Sequence, residues 1–523
     1  MRVRLLARLT FLSPQALFRT LVRGQRRGGR ATDEYYSASH AEHVRPMFEV
    51  AWMPILAGIS GPLQDSDDME LITLSLDGFK QAIKIVCLFD LELERNAFVT
   101  TLAKFTFLNN FGEMRPKNVE AIKTLLDVAM VDGNYLKGSW REVLTCVSQL
   151  ERFQLIAQGV DSQALPELGR QPSIGRRRST VTSKRTSRPT DEVAHETRSQ
   201  HITITADMIF SSTPQLSGAA IVDFTRALSE VSWEEIQASG LAEQPRVFCL
   251  QKLVEICYYN MNRIRLEWSQ MWLILGEHFN QVRFVCGYCC DCVLLTGLPL
   301  GRQVTCHTNA KVSFLALDSL RQLAMRFLEK EELANFKFQK DFLKPFEYAM
   351  IHNTNPDARD MVLQCLHQMV QARAQNMRSG WRTMFGVFAA AAKVPTERIA
   401  AQAFDIVQRI NREHFSQIVE FGSFADLTVC VTDFCKISKF QRVSLQAIEL
   451  LRALIPMMLS CPECPLSTAN GAAPVESTAT DDPMLRFWFP LLFGFYDVIM
   501  NGEDLEVRKR CVHGTRLFLR AST

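Results

Sequence analysis

Nowhere among the 523 residues does an apolar run approach the roughly 20 residues of a membrane-spanning helix. The strongest candidate, Phe487–Tyr496, is broken by Pro490 and bracketed by Arg486 and Asp497, and is read as the buried start of a helix. Two-residue alternation of apolar and polar side chains is nearly missing too. Ile202–Ile204 is its only trace, which argues against a sheet-built core. An excess of one charge is also absent: 59 basic and 56 acidic side chains leave a net +3. So balanced a surface gives no reason to expect nucleic acid as a partner.

Most catalytic templates are missing as well. There is no G-x-S-x-G elbow and no dinucleotide-binding glycine fingerprint. Gly133-Asn134-Tyr135-Leu136-Lys137-Gly138-Ser139 has the glycine spacing of a phosphate loop. It lacks the Lys that should follow the second glycine and lies between helical stretches, so it reads as a helix connection. His195-Glu196 with His201 misses the i, i+4 spacing that puts two zinc ligands on one helix face. Cysteines are not scarce, at 15, but they are scattered singly on apolar stretches, as at Cys87, Cys146, Cys257, Cys365 and Cys430. That distribution suits packed free thiols in a reducing, cytosolic compartment rather than a disulfide framework. One cluster, Cys286, Cys289 and Cys292 with Cys306-His307 downstream, has thiolates at zinc-ligand spacing. Cys290 crowds it, its surroundings (Val293, Leu294, Leu295) are apolar, and the downstream group has no second paired spacing. Cys286, Cys289, Cys292 and Cys306 are therefore only weak metal candidates, Cys461-Pro462-Glu463-Cys464 is weaker still, and no metal, cofactor or catalytic residue is expected.

What is present is helical periodicity. Met69–Phe89 carries Leu71, Leu74, Phe79, Ile83, Val86 and Leu88 mostly along one stripe, after a capping run Asp65-Ser66-Asp67-Asp68. Segments 117–131 and 139–156 repeat the pattern. Asp132-Gly133-Asn134 between them is expected to turn by positive φ. Phe314, Leu317, Leu320, Leu323 and Phe327 read as a core face, whereas Phe336, Phe338, Phe342 and Phe346 in a Lys-rich stretch suggest a partner surface. Met1–Arg30 has eight Arg and no acidic residue, a transit-peptide-like composition read here as an unstructured start, 1–32. Residues 158–206, rich in Ser, Thr, Arg and Pro, read as a linker, with 461–482 as a second low-complexity gap. Within the linker, Arg176-Arg177-Arg178 before Ser179 is the pattern a basophilic kinase reads, which makes Ser179 the candidate phosphorylation site; any disordered Ser/Arg segment yields such matches by chance.

A loose repeat runs along the second half. Pro356-Asp357-Ala358-Arg359, Pro395-Thr396-Glu397-Arg398, Arg442 and Glu506-Val507-Arg508 each precede an apolar helix. A period of about 40 to 47 residues with a basic residue near each boundary is the mark of HEAT or armadillo units. One helix pair cannot bury its apolar stripe alone, so neighbours must stack. The expected fold is an all-α solenoid: helical regions at 33–157 and 207–282, HEAT-like repeats at 306–460 and a last repeat at 483–523.

Several strings resemble the large brefeldin-A-inhibited Arf exchange factors, the BIG and fungal Sec-seven proteins. They include Ser60-Gly61-Pro62-Leu63-Gln64-Asp65, Asp132-Gly133-Asn134-Tyr135-Leu136 with Ser139-Trp140, and Phe314-Leu315-Ala316-Leu317-Asp318-Ser319. Phe336-Lys337-Phe338-Gln339-Lys340-Asp341-Phe342-Leu343 is another. The resemblance runs from about Asp33 to Leu519, outside the loops. It implies armadillo-like regulatory regions that follow an exchange domain and bind Arf-family or related small GTPases. It also implies peripheral attachment to trans-Golgi membranes in vesicle-mediated transport, and leaves a homodimer open. No segment resembles the family's glutamate-finger loop, so exchange activity is expected of longer relatives and not of these residues. In the family pattern Gln281-Val282 would run almost directly into Cys306-His307-Thr308-Asn309, so 283–305 is expected to be an insertion. The rival reading is a helical-repeat adaptor unrelated to GTPases.

Overall fold

The computed structural model describes residues 41–109, 114–157, 200–240, 242–280, 304–333, 337–461 and 484–522. Among them there is no strand, and 18 α-helices of nine residues or more are joined by turns and short 3-10 segments. The chain divides into two compact units, residues 1–232 and 233–523.

In the first unit, α1 (Val44–Asp65), α2 (Met69–Leu88), α3 (Glu92–Phe105), α4 (Pro116–Asp132), α5 (Trp140–Ala157) and α6 (Gln200–Ser211) follow in order, and α7 (Gly218–Ser239) carries the unit boundary. Successive and next-but-one helices pack together, α2 against α1 and α4, α3 against α5, and α4 against α6. The Asp68 side chain accepts from the Glu70 N–H at 3.0 Å and opens α2. Asn118 accepts from the Arg115 N–H and donates to the Phe105 carbonyl, both at 2.7 Å, tying the end of α3 to the start of α4.

Three expectations shift here. The buried stripe of α2 is Ile72, Leu76, Phe79, Ile83 and Val86, stepping by four and three residues, while Leu71, Leu74 and Leu88 are exposed. Gly133 does not take positive φ; it sits at −52° in a 3-10 turn, and the left-handed residue of this connection is Lys137 at 46°. Glycine is needed at 133 for space, because a Cβ there would lie 3.0 Å from Trp140 Cζ2 and 3.3 Å from Leu216 Cδ2. Trp140 Nε1 donates to the Gly133 carbonyl at 3.0 Å, so the phosphate-loop look-alike is a connection stapled by an indole. Finally, the linker expected to reach residue 206 overruns α6. Ile202, Ile209 and Phe210 are buried on one side of that helix while Ile204 and Met208 are exposed, so the one alternating stretch is helical.

The second unit is two layers of helices. Here lie α8 (Phe248–Tyr259), α9 (Arg265–Asn280), α10 (Ala310–Phe327), α11 (Lys344–His352), α12 (Pro356–Arg373), α13 (Gly380–Ala392), α14 (Glu397–Glu420), α15 (Phe424–Cys435), α16 (Gln441–Leu459), α17 (Phe489–Asn501) and α18 (Leu505–Ser522). In one layer α8, α10, α12, α14, α16 and α18 pack each on the next; in the other α9, α11, α13, α15 and α17 do the same. Pairs such as α13–α14, α15–α16 and α17–α18 bridge the layers. This sequential stacking is the solenoid, and the four repeat boundaries open α12, α14, α16 and α18, all in the first layer. Asn355 and Asp504 cap α12 and α18 through their side chains. The boundary cation has a use in α12, where Arg359 donates to the Met350 and Ile351 carbonyls at the end of α11, the negative pole of that helix. A kink at His414 (φ −129°, ψ 17°) bends α14.

The core face of α10 holds for Leu317, Leu320, Leu323 and Phe327, which are buried, whereas Phe314 is half-buried. The Phe336–Phe346 stretch is not a partner surface. Phe338, Phe342 and Phe346 are buried, and Phe342 stacks on Trp272 at 4.1 Å and on Phe327 at 5.0 Å, filling the space between α9 and α10; Phe336 lies outside the described residues. The lysines project outward from the same short turn, which is why the local composition misleads.

Candidate partner-binding grooves

Of the weak metal candidates, Cys286, Cys289 and Cys292 lie outside the described residues, as does Ser179. Cys306 ends a 3-10 turn, Val304–Cys306, and partial burial pushes its thiol up from its ordinary value. His307 Nδ1 accepts from the Asn309 N–H at 3.0 Å, and its ring closes over Gly240, where a Cβ would meet it at 2.7 Å. Asn309 in turn caps α10 and donates to the Gly240 and Ala242 carbonyls at 3.0 Å. The string from Cys306 to Lys311 is thus a helix start, and among the described residues no group of His, Cys, Asp and Glu could hold a metal ion. Most of the expected insertion, 283–303, lies outside the described residues, and its last two positions are packed. Val304 and Thr305 are fully buried, and Thr305 accepts at its carbonyl from Ser313 Oγ and Asn353 Nδ2. The dispersed thiols are core: burial pushes Cys87, Cys146 and Cys365 up to about 12.

The string around Gln339 has a role composition did not reveal. Glu332, 5% exposed, accepts from the Gln339 N–H, the Ser379 N–H and Ser379 Oγ at 2.9, 2.9 and 2.6 Å. Gln339, 1% exposed, accepts from the Arg378 and Gly380 N–H groups and donates to the Asn376 carbonyl. Two buried side chains thereby satisfy the backbone of the turn that starts α13. Only a polar pair flanked by rings hinted at it.

Among the described residues of the second unit, a groove opens on each layer. The second-layer groove, about 520 Å³, runs over α11, α13 and α15 between Lys344, Glu347, Arg382 and Asp426. Burial pushes the Glu347 and Asp426 carboxyls up, opposed by Lys344 and by Arg382 respectively. Gly386 gives Glu347 its room, since a Cβ there would come within 2.8 Å of Glu347 Oε1. The first-layer groove, about 560 Å³, crosses α14, α16 and α18 with Asn411, Arg412, Leu445, Leu450 and Arg510 along it. Both mix charged side chains with apolar ones, Lys344 and Arg382 beside Phe385 and Val429 in the second-layer groove and Arg412 and Arg510 beside Leu445 and Leu450 in the first-layer groove. Among the described residues no helix is long and apolar enough to cross a membrane.

Residues 326–409, which hold the Glu332–Gln339 junction, match the family model for the Mon2/Sec7/BIG1-like HDS region, outside the catalytic Sec7 domain. The chain is 41% identical over 514 residues to the ADP-ribosylation factor guanine nucleotide-exchange factor sec72 of Schizosaccharomyces pombe, covering 95% of this chain and 27% of that protein. It is 40% identical over 504 residues to the human Brefeldin A-inhibited guanine nucleotide-exchange protein 1, covering 91% of this chain and 25% of that protein. Against the exchange factor SEC7 of Saccharomyces cerevisiae the identity is 36% over 515 residues, 92% of this chain and 24% of that protein. The chain therefore spans 24% to 27% of the length of these curated relatives. A solved circular tandem repeat protein aligns over 92% of the chain and 97% of its own at 10% identity and a TM-score of 0.31, too distant to carry an argument.

Proposed function

Because the chain is a homologue of a segment of the Sec7/BIG-type Arf exchange factors, we propose that it is the regulatory, partner-binding region of such a factor. In this reading it binds Arf-family or related small GTPases, attaches peripherally to trans-Golgi membranes in vesicle-mediated transport, and accelerates no nucleotide release itself. One observation carries the reading: identity near 40% is spread over 91–95% of the chain and is not confined to a motif. The solenoid supports it physically, since stacked repeats expose long surfaces on which partners can dock.

The test is retention of Arf-family GTPases, loaded with GTP or GDP, by the chain on Golgi-composition liposomes. Retention with GTP and not with GDP is expected. Equal or no retention with both nucleotides would favour a helical adaptor without a GTPase link. In a parallel exchange assay the chain should leave the rate of nucleotide release unchanged.

A further inference from the structure

The first-layer groove holds a polar group with an unmet need. Gln408, Asn411 and Arg412 occupy one face of α14 at i, i+3 and i+4, opposite a stripe of α16 that includes Leu445, Leu450 and Met457. Asn411 is 4% exposed, and its Oδ1 has no hydrogen-bond partner. Its Nδ2 meets only the Met457 sulfur, at 3.5 Å, a weak acceptor. Whichever way the amide is turned, the thioether satisfies one end and leaves the other bare. A leucine would fill the same space without that cost. Beside it, Arg412 is exposed and makes no hydrogen bond or ion pair among the described residues. On the far side Arg510 is already held by Glu449 and Glu506, both at 3.3 Å.

We propose that this groove binds an extended, acidic–apolar peptide segment of a partner protein, laid across α14, α16 and α18. A carboxamide offers an NH2 donor group and a C=O acceptor, the complement of a backbone C=O and N–H, so Asn411 is suited to grip a main chain. Arg412 supplies a free cation for an acidic side chain, and Leu445 and Leu450 give a half-buried floor for apolar ones. Met457 covers the carboxamide and can leave it, being unbranched and only half-buried. Three adjacent helices span two steps of about 9 Å, which an extended peptide crosses in about six residues at about 3.3 Å each. A nucleic-acid backbone fits less well, because the carboxylate of Glu449 stands in the same groove. This inference is independent of the GTPase reading.

The experiment is selection of phage-displayed random dodecapeptides on the full chain, followed by fluorescence anisotropy of the enriched peptides against the parent chain, Asn411→Leu, Arg412→Glu and, as a second-layer control, Arg382→Glu. Enrichment of acidic–apolar peptides is expected, with binding weakened at least tenfold by Asn411→Leu and Arg412→Glu and unchanged by Arg382→Glu. Asn411→Leu should keep or raise the melting temperature, which separates lost binding from lost fold. Failure to enrich any peptide, or peptides that bind both first-layer variants as tightly as the parent, would overturn the proposal. So would a self-association, seen by sedimentation, that Arg412→Glu abolishes, since a second copy would then be the occupant.

Discussion

Replacing Gln339 by Leu tests whether the buried polar junction holds the second unit together. The two side chains are close in volume, so the change removes hydrogen bonds with little repacking. Lost are the acceptor for the Arg378 N–H at 2.8 Å, the acceptor for the Gly380 N–H at 3.3 Å and the donor to the Asn376 carbonyl at 2.8 Å. A buried polar group left without a partner costs about 1–3 kcal/mol, and the half-exposed Arg378 N–H recovers part of its share from water, for a loss of about 3–5 kcal/mol. The leucine returns about 1 kcal/mol through apolar burial. A net loss of about 2–4 kcal/mol remains, enough to lower the melting temperature by several degrees. Urea titration followed by tryptophan fluorescence reads the loss, since Trp381, the second residue of α13, is fully buried. Hydrogen exchange resolved by mass spectrometry should rise at residues 376–380 before it rises elsewhere in the unit. Unchanged urea midpoint and unchanged exchange at that turn would refute the assignment of the 332–380 contacts as a structural latch.

Other consequences are equally direct. Trp140→Phe removes the indole bond to the Gly133 carbonyl and should cost the first unit about 1 kcal/mol, whereas Gly133→Ala forces a Cβ against the same ring and should cost about 1–3 kcal/mol; calorimetry of both variants checks the order. Hydrogen bonds from Lys137 and Arg95 hold the Asp90 carboxyl below its ordinary value. Its contribution is complete above the ordinary aspartate value and disappears as the pH falls through the depressed one; Asp90→Asn should therefore destabilise the unit at neutral pH and flatten its loss of stability in acid. Arg95, whose side chain is 1% exposed, is the group such a change strands. Among the described thiols, the partly exposed Cys306 should react with maleimide at pH 7.5 before Cys87, Cys146 and Cys365, an order that peptide mapping reads out and that a buried thiol labelling first would reverse.

The fold was legible because its signal is repeated. Four boundaries each opened a helix of one layer, three of them (Arg359, Arg398 and Arg442) at similar spacing, and degenerate periodicity summed over many helices is hard to mistake. What the sequence hid was register and context. In α2 a one-position slip moves Leu71 and Leu74 from core to solvent, and a stripe dense in Leu does not say which rows face inward. Around Phe338 and Phe342, lysines disguised a ring cluster whose partners, Trp272 and Phe327, lie on two other helices. The helical start at Gln200 was masked by a Ser- and Thr-rich approach. Neither groove had a linear signature, because each is lined by three helices from successive repeats, and Asn411 is informative only once its neighbours are known.

Stacking also explains a feature that would otherwise look like a fault. Helix α17 is apolar on both sides: Leu491, Phe495 and Val498 are fully buried, while Phe489, Phe493, Tyr496 and Met500 are each at least half exposed. The exposed four recur at i, i+4, i+7 and i+11, opposite the buried stripe, and the Phe489 and Phe493 rings stack at 5.9 Å. A helix apolar all round is normally covered all round. In a layered solenoid each helix is covered by its predecessor on one side and its successor on the other; α17 packs on α15, and no later helix of its layer is among the described residues. Phe493→Glu should therefore lower the melting temperature by no more than about 2 °C, because half of the ring already faces solvent. It should reduce the binding of a hydrophobic dye and the concentration-dependent light scattering of the chain, since a charge in the middle of the stripe interrupts the patch. A fall of several degrees in melting temperature would mean that this face is already covered and that the layer continues over it.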